Sequence, residues 1–271
     1  MKTKIIYEDQ YILICYKPAG LATQTSKVGQ QDMVSELKNY LAAGKSGQPY
    51  LGVIHRLDQP VEGLLVFAKD SKAAAKLSAS LSQGTLNKQY YAVVCGQPAA
   101  KEAQLVDYLV KDPATGSAKV VTEDQTRISA KVDKAQTKQN AGADKVQTKQ
   151  NAGADKAQKA VLQYRVLKQV EMKNNNPVGE ECRMVQSTPA SYSLLDIHID
   201  TGRFHQIRAQ MAHAGLPLLG DSRYGDDNSM QLSRQLGVRN VALCAYRIDL
   251  VHPVTGKKMN FEIEPEAAIF K

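Results

Sequence analysis

The amino-acid sequence predicts an α+β fold, a mixed and largely antiparallel sheet flanked by helices. Two observations carry that expectation. Strand-like apolar runs outnumber helical ones and several follow each other directly, whereas a doubly wound parallel sheet needs regular strand–helix alternation. In addition, 43% of the 271 residues are hydrophobic and 23% are charged. That balance supports a real core, and the length suits one large domain or two small ones.

The elements follow in order. Ile5–Tyr7 and Tyr11–Tyr16 read as short strands leading into a turn at Lys17-Pro18-Ala19-Gly20. Met33, Val34, Leu37, Tyr40 and Leu41 recur at helical spacing. Leu64–Ala68 is an apolar run of strand length. Asp70 or Ser71 is placed to cap a helix with Ala74, Leu77 and Leu81 on one side, and Gly84 to end it. Gln89–Val94, Leu105–Val110, Val161–Val170 and Tyr192–Ile199 favour strand. Phe204 to Ala214 reads as a helix ended by Gly215. Val241–Val251 and Met259–Ile263 flank a hairpin-like turn at Pro253-Val254-Thr255-Gly256.

Residues 131–159 break the pattern. DKAQTKQNAGA from Asp133 is repeated as DKVQTKQNAGA from Asp144, and a broken third copy starts at Asp155. Val146 is the only large apolar side chain in these eleven-residue units, so they cannot bury enough surface to offset their ordering entropy. The segment reads as a flexible surface insertion, with an RNA-gripping arm as the alternative. It carries seven Lys and three Asp, half of the chain's net charge of +8. Charge alone is therefore a weak pointer to a nucleic-acid partner.

The four Cys, at 15, 95, 182 and 244, are scattered with no C-x-x-C pair, so reduced thiols are expected and a structural zinc site is not. The sequence begins without an apolar stretch of signal-peptide length and contains no apolar run of about 18 residues, which makes a cytoplasmic protein the expectation.

Three clusters are suited to chemistry. His55-Arg56-Leu57-Asp58 sets three charged or titratable groups just before a buried strand, a costly place unless they are paired or used. A surface turn with an incidental ion pair is the plainer alternative. Asp200-Thr201-Gly202-Arg203-Phe204-His205-Gln206-Ile207-Arg208 leads through a Gly turn into a helix. It fits an anion site, a carboxylate partner or an ordinary solvated helix. In Asn87-Lys88-Gln89-Tyr90-Tyr91, strand alternation sends the two tyrosines to opposite faces, one into the core and the other free to stack on a base.

These blocks, in this order, are HRLD, G-L-L-V-F-A-K, K-x-Y-x-A, T-G-R-x-H-Q-I-R and G-D-x-x-Y-G. Together they resemble the RluA-type RNA pseudouridine synthases from about Ile5 to Phe261. The resemblance implies an isomerase that detaches a uracil from its ribose and rejoins it through carbon 5, without metal or cofactor. It puts Asp58 at the catalytic position. Arg203 then matches the arginine that pairs with the catalytic Asp, with Arg208 as the fallback, and Tyr90 matches the aromatic that stacks on the uracil.

The same resemblance suggests that Arg56 fills the space left by a flipped-out nucleotide. His55, Lys88, His205, Gln206 and Arg208 complete the expected substrate-binding set. Where the family usually carries Thr-Ser before the glycine, this chain has Val61-Glu62, so the local loop chemistry differs. The resemblance further implies that 1–271 forms a single catalytic domain, without the accessory N-terminal RNA-binding domain that many relatives carry.

RNA, ribosomal or transfer, is the expected partner, and a monomer suffices because all the proposed groups lie in one chain. A non-catalytic RNA-binding protein on the same fold is the alternative. A glycosidase built on Glu262 and Glu264 is weaker, because a solvated edge strand explains that pair. The histidines at 198, 205 and 213 lack the H-E-x-x-H spacing of a zinc site.

Overall fold

A computed structural model describes residues 3–25, 29–43, 47–122, 157–172 and 190–271. Among these residues the chain runs β1 (Lys4–Glu8), β2 (Ile12–Lys17), α1 (Met33–Ala42), β3 (Gly52–Val53), β4 (Glu62–Ala68), α2 (Ser71–Ser82), β5 (Asn87–Cys95) and β6 (Glu102–Asp112). It continues through β7 (Ser117–Val121), β8 (Gln158–Glu171), β9 (Ser191–Ile199), α3 (Gln206–His213), α4 (Asp227–Gln235), β10 (Leu243–Val251) and β11 (Lys258–Glu262).

The strands form one mixed sheet in the order β1-β2-β4-β10-β5-β9-β8-β6-β7, with β3 also paired to β4 and β11 to β10. Every pairing is antiparallel except β4 with β10. The expected α+β class is what the chain adopts. Helices cover both faces: Met33 and Leu37 of α1 and Ile207 and Met211 of α3 join Leu65, Phe67, Leu195 and Ile197 in one core. Ala73 and Leu77 of α2 join Ile12, Ile14, Leu64 and Val66 in a second. Burying a leucine of this kind fully is worth about 2 kcal/mol.

Position 63 explains how β4 and β10 can meet at all. Gly63 has φ of 131°, and a Cβ built there would lie 2.5 Å from both N and O of Ala245. Only glycine tolerates that conformation and that approach. Asp70 caps α2 by accepting from the backbone N–H of Lys72 and Ala73, as its place in the sequence implies.

Four expectations need correction. The third helix starts at Gln206, because His205 adopts a left-handed conformation (φ 52°) that leaves Phe204 and His205 in the turn before it. Gln158 and Lys159, assigned to the insertion, open β8 and pair with Leu109 and Tyr108. β10 begins two residues later than expected, at Leu243. β7 and α4 were not anticipated. The rest of the repeat segment, through Lys156, lies outside the described residues, as does Cys182. Cys15, Cys95 and Cys244 are free thiols. No helix among the described residues is long and apolar enough to cross a membrane.

Candidate active site

The loop between β3 and β4 carries Asp58. Its neighbour Leu57 is buried, and the Thr23 hydroxyl binds the Leu57 backbone twice, donating to O (2.9 Å) and accepting from N (3.3 Å). The Gln59 carbonyl accepts from Gly20 N (2.8 Å) and from Lys17 Nζ (3.0 Å). Lys17 is fully buried, and its Nζ also donates to the carbonyls of Leu21 and Pro18. Burial pulls the ammonium down to about 7, while Asp58 and Glu62 push the other way. The backbone of this loop is thus fixed by Lys17, Gly20 and Thr23 together. Backbone fixed this firmly can hold a half-buried carboxylate in one place.

Three residues face that carboxylate. Arg208 Nη1 donates to Asp58 Oδ2 at 2.8 Å. The other edge of the same guanidinium is forked on Asp221, Nε to Oδ2 at 2.7 Å and Nη2 to Oδ1 at 2.8 Å. Asp221 is completely buried and also accepts from the backbone N–H of Arg223 and Tyr224. Burial works against the charge of Arg208, but Asp221 and Asp58 outweigh it and raise its pKa further, so the cation is permanent.

His205 Nε2 lies 3.6 Å from Asp58 Oδ2. Its Nδ1 is 2.9 Å from the Tyr224 hydroxyl, which already accepts from Ala118 N at 2.6 Å. A neutral imidazole can accept the phenolic hydrogen at Nδ1 and turn its Nε2–H toward Asp58. Burial lowers His205 to about 4 despite the pull of Asp58, so the ring is neutral at physiological pH. Tyr90 is the third group. It is 5% exposed on β5, and burial, then the charge of Asp58, raise its hydroxyl well above the ordinary value.

The remaining expected residues divide clearly. Arg203, expected to pair with Asp58, does not: its side chain is at the surface and Nε donates to the Lys159 carbonyl. The left-handed turn at His205 separates it from α3, and Arg208, one turn into that helix, takes the pairing. Gln206 is buried and spent on the fold, accepting from Thr201 Oγ1 and Arg203 N and donating to Val161 O. His55 is buried too, accepting from Val66 N, and burial holds it neutral. Arg56 is exposed on the catalytic loop, and Lys88 is buried two residues before Tyr90. Tyr91, on the opposite face, stacks on Tyr246 at 3.7 Å.

Glu62, the departure from the usual pattern, accepts from the Tyr16 hydroxyl and Ala267 N, tying the C-terminal segment to β4. Residue-level reading gave no role to Asp221 and Tyr224. Both lie in the G-D-x-x-Y-G block, and Asp221 closely follows the apolar run Leu216-Pro217-Leu218-Leu219, where an unpaired charge would be costly.

A sequence profile described as RNA pseudouridylate synthase matches residues 11–213. The chain belongs to the RNA pseudouridylate synthase family. It is therefore an isomerase that converts uridine to pseudouridine in RNA. The synthase is 31% identical to tRNA pseudouridine synthase C of Yersinia pestis over 257 residues, covering 94% of this chain and 84% of the relative. It is 26% identical to ribosomal large subunit pseudouridine synthase D of Zymomonas mobilis over 267 residues, covering 96% and 68% respectively. Among solved structures, human RNA pseudouridylate synthase domain containing 4 matches the synthase fold with a TM-score of 0.66 at 21% identity. That match covers 98% of this chain and 90% of the human one.

Proposed function

We propose that the synthase modifies a uridine in ribosomal or transfer RNA with Asp58 as its catalytic carboxylate. The observation that carries this is the relay Asp58–Arg208–Asp221, in which a buried carboxylate fixes the cation that holds a half-buried one. Asp58 Oδ2 takes Arg208, whereas Oδ1 makes no hydrogen bond with any described residue. Oδ1 is thus the oxygen available to the substrate. It either attacks the ribose or pyrimidine directly or assists a glycal-type elimination. In each route the N1–C1′ bond breaks, a C5–C1′ bond forms, C5 loses a proton and N1 gains one.

Keeping Asp58 ionised inside an RNA-filled cleft requires a cation that desolvation cannot neutralise, and an arginine meets that requirement where a lysine would not. Arg208 is the positioning residue in this reading, and Arg203 belongs to the surface. Tyr90, kept as a phenol, stacks on the freed uracil and holds it for rotation. Arg56 is free to fill the gap left by a flipped nucleotide. His205 donates toward Asp58, with Tyr224 fixing its tautomer.

That both a transfer-RNA and a ribosomal-RNA synthase are among the similar proteins supports these substrate classes without separating them. The chain works as one domain in the cytoplasm, and a monomer is sufficient because Asp58, Tyr90 and Arg208 all come from one chain. The deciding experiment is site-resolved pseudouridine mapping of total RNA from cells lacking the gene, complemented by wild type or Asp58→Ala. A uridine modified only with wild type identifies the target. Modification that persists with Asp58→Ala rejects the assignment of Asp58.

A further inference from the structure

A buried ammonium without a counter-charge is unfavourable unless something else supplies one. Lys88, on β5, is 8% exposed and makes no hydrogen bond or ion pair with any described residue. It borders a pocket of about 280 Å³ whose lining includes Leu81, Leu86, Asn87, Asp200, Thr201 and Gly202. Lys88 is the only lysine or arginine among the lining residues. The pocket far exceeds the roughly 30 Å³ share of a single water.

The polar neighbours do not satisfy the ammonium. Asp200 Oδ1 is engaged with His198 at 3.3 Å, and the Thr201 hydroxyl is used by Val161 N and Gln206 Oε1. His55, the buried imidazole on which the charge of Lys88 acts, is held neutral by burial. Gly202 leaves the ammonium uncovered, since a Cβ there would come within 3.8 Å of Nζ. Burial alone draws Lys88 down to about 8, the behaviour of a cation with no partner.

Residues two apart on a strand point to the same face, about 7 Å apart along it, which separates Lys88 from Tyr90 by roughly one nucleotide. We propose that Lys88 and its pocket bind a backbone phosphate of the RNA beside the target uridine, so that the substrate supplies the missing counter-charge. This rests on the reading of Asp58 and Tyr90 as the uridine site. The alternative is an internal pair in which Lys88 swings to Asp200 in solution. The two make opposite predictions for Asp200, because removing its charge helps a bound phosphate but leaves an internally paired lysine alone.

The test measures binding of a five-residue single-stranded oligouridylate at several salt concentrations, in an Asp58→Ala background that prevents turnover. The expected result for Lys88→Met is about tenfold or greater loss of affinity. Its plot of log affinity against log salt should be shallower by about 0.7, the value for one lost contact to single-stranded nucleic acid. Lys88→Arg should keep the slope, and Asp200→Asn should bind more tightly than the parent. An unchanged slope in Lys88→Met overturns the proposal. So does Asp200→Asn weakening binding as Lys88→Met does, and so does an absence of parental binding. Pseudouridine mapping reports separately on the Asp58 reading. A synthase that modifies RNA normally but shows no Lys88 slope change would lose only the phosphate site.

Discussion

At the scale of single residues, the site depends on which arginine does what. Arg208→Lys retains a charge but loses the fork that reaches Asp58 and Asp221 together. It should lower kcat by about a hundredfold or more with little change in KM, as expected when a reacting group shifts by an ångström. Arg203→Ala, by contrast, removes a surface contact and should stay within about threefold of wild type in single-turnover assays. Asp221→Asn leaves a buried guanidinium short of its partner and should cost about 3 kcal/mol or more in chemical denaturation.

His205 contributes a pH dependence whose sign follows from its lowered pKa. The unfolded chain takes up a proton near the ordinary histidine value of about 6.5, while the folded ring resists until about 4. Stability should therefore fall as pH drops through that window, and His205→Gln should flatten the fall in a series of thermal melts. The motif blocks singled out Asp58 and Tyr90 but assigned the partner of Asp58 to Arg203, where the structure has Arg208. The spacing between 203 and 208 carries no information about a left-handed residue at 205. His205 is neither Gly nor Asn, so nothing local announced the turn that removes Arg203 from the carboxylate.

At the scale of elements, the strands were legible because their apolar runs are long. β4 is buried at all seven positions and β5 alternates as written. β7 escaped notice because its five residues, Ser117–Val121, are short and mixed, and their partner is a strand whose register the sequence does not reveal. α4 has two apolar residues in nine and depends on its Asp226–Ser229 capping box more than on a hydrophobic stripe. Gly63 is the element-level test. Gly63→Ala forces a Cβ against Ala245 and should destabilise by about 2–4 kcal/mol, disrupting the β4–β10 pair. A melting temperature equal to wild type would mean that this approach is not needed.

At the scale of the whole molecule, β7 and β8 lie on opposite sides of β6, each held by its own ladder, and the repeat segment falls between them in the sequence. Replacing 131–157 with a short Gly-Ser linker should leave thermal stability within about 0.5 kcal/mol of wild type. The unmodified activity on a mapped RNA should persist, with affinity reduced chiefly at low salt. The parallel contact between β4 and β10 has a temporal meaning as well. Cys244 meets Glu62 across more than half the chain's length, and Asp58 meets Arg208 across a similar span. A ribosome that has released only the first half of this polypeptide has delivered the carboxylate but not the Arg208–Asp221 pair that holds it. Such long-range closures form late in synthesis and slowly in refolding. The emerging enzyme therefore stays chemically silent until nearly all of it has been made.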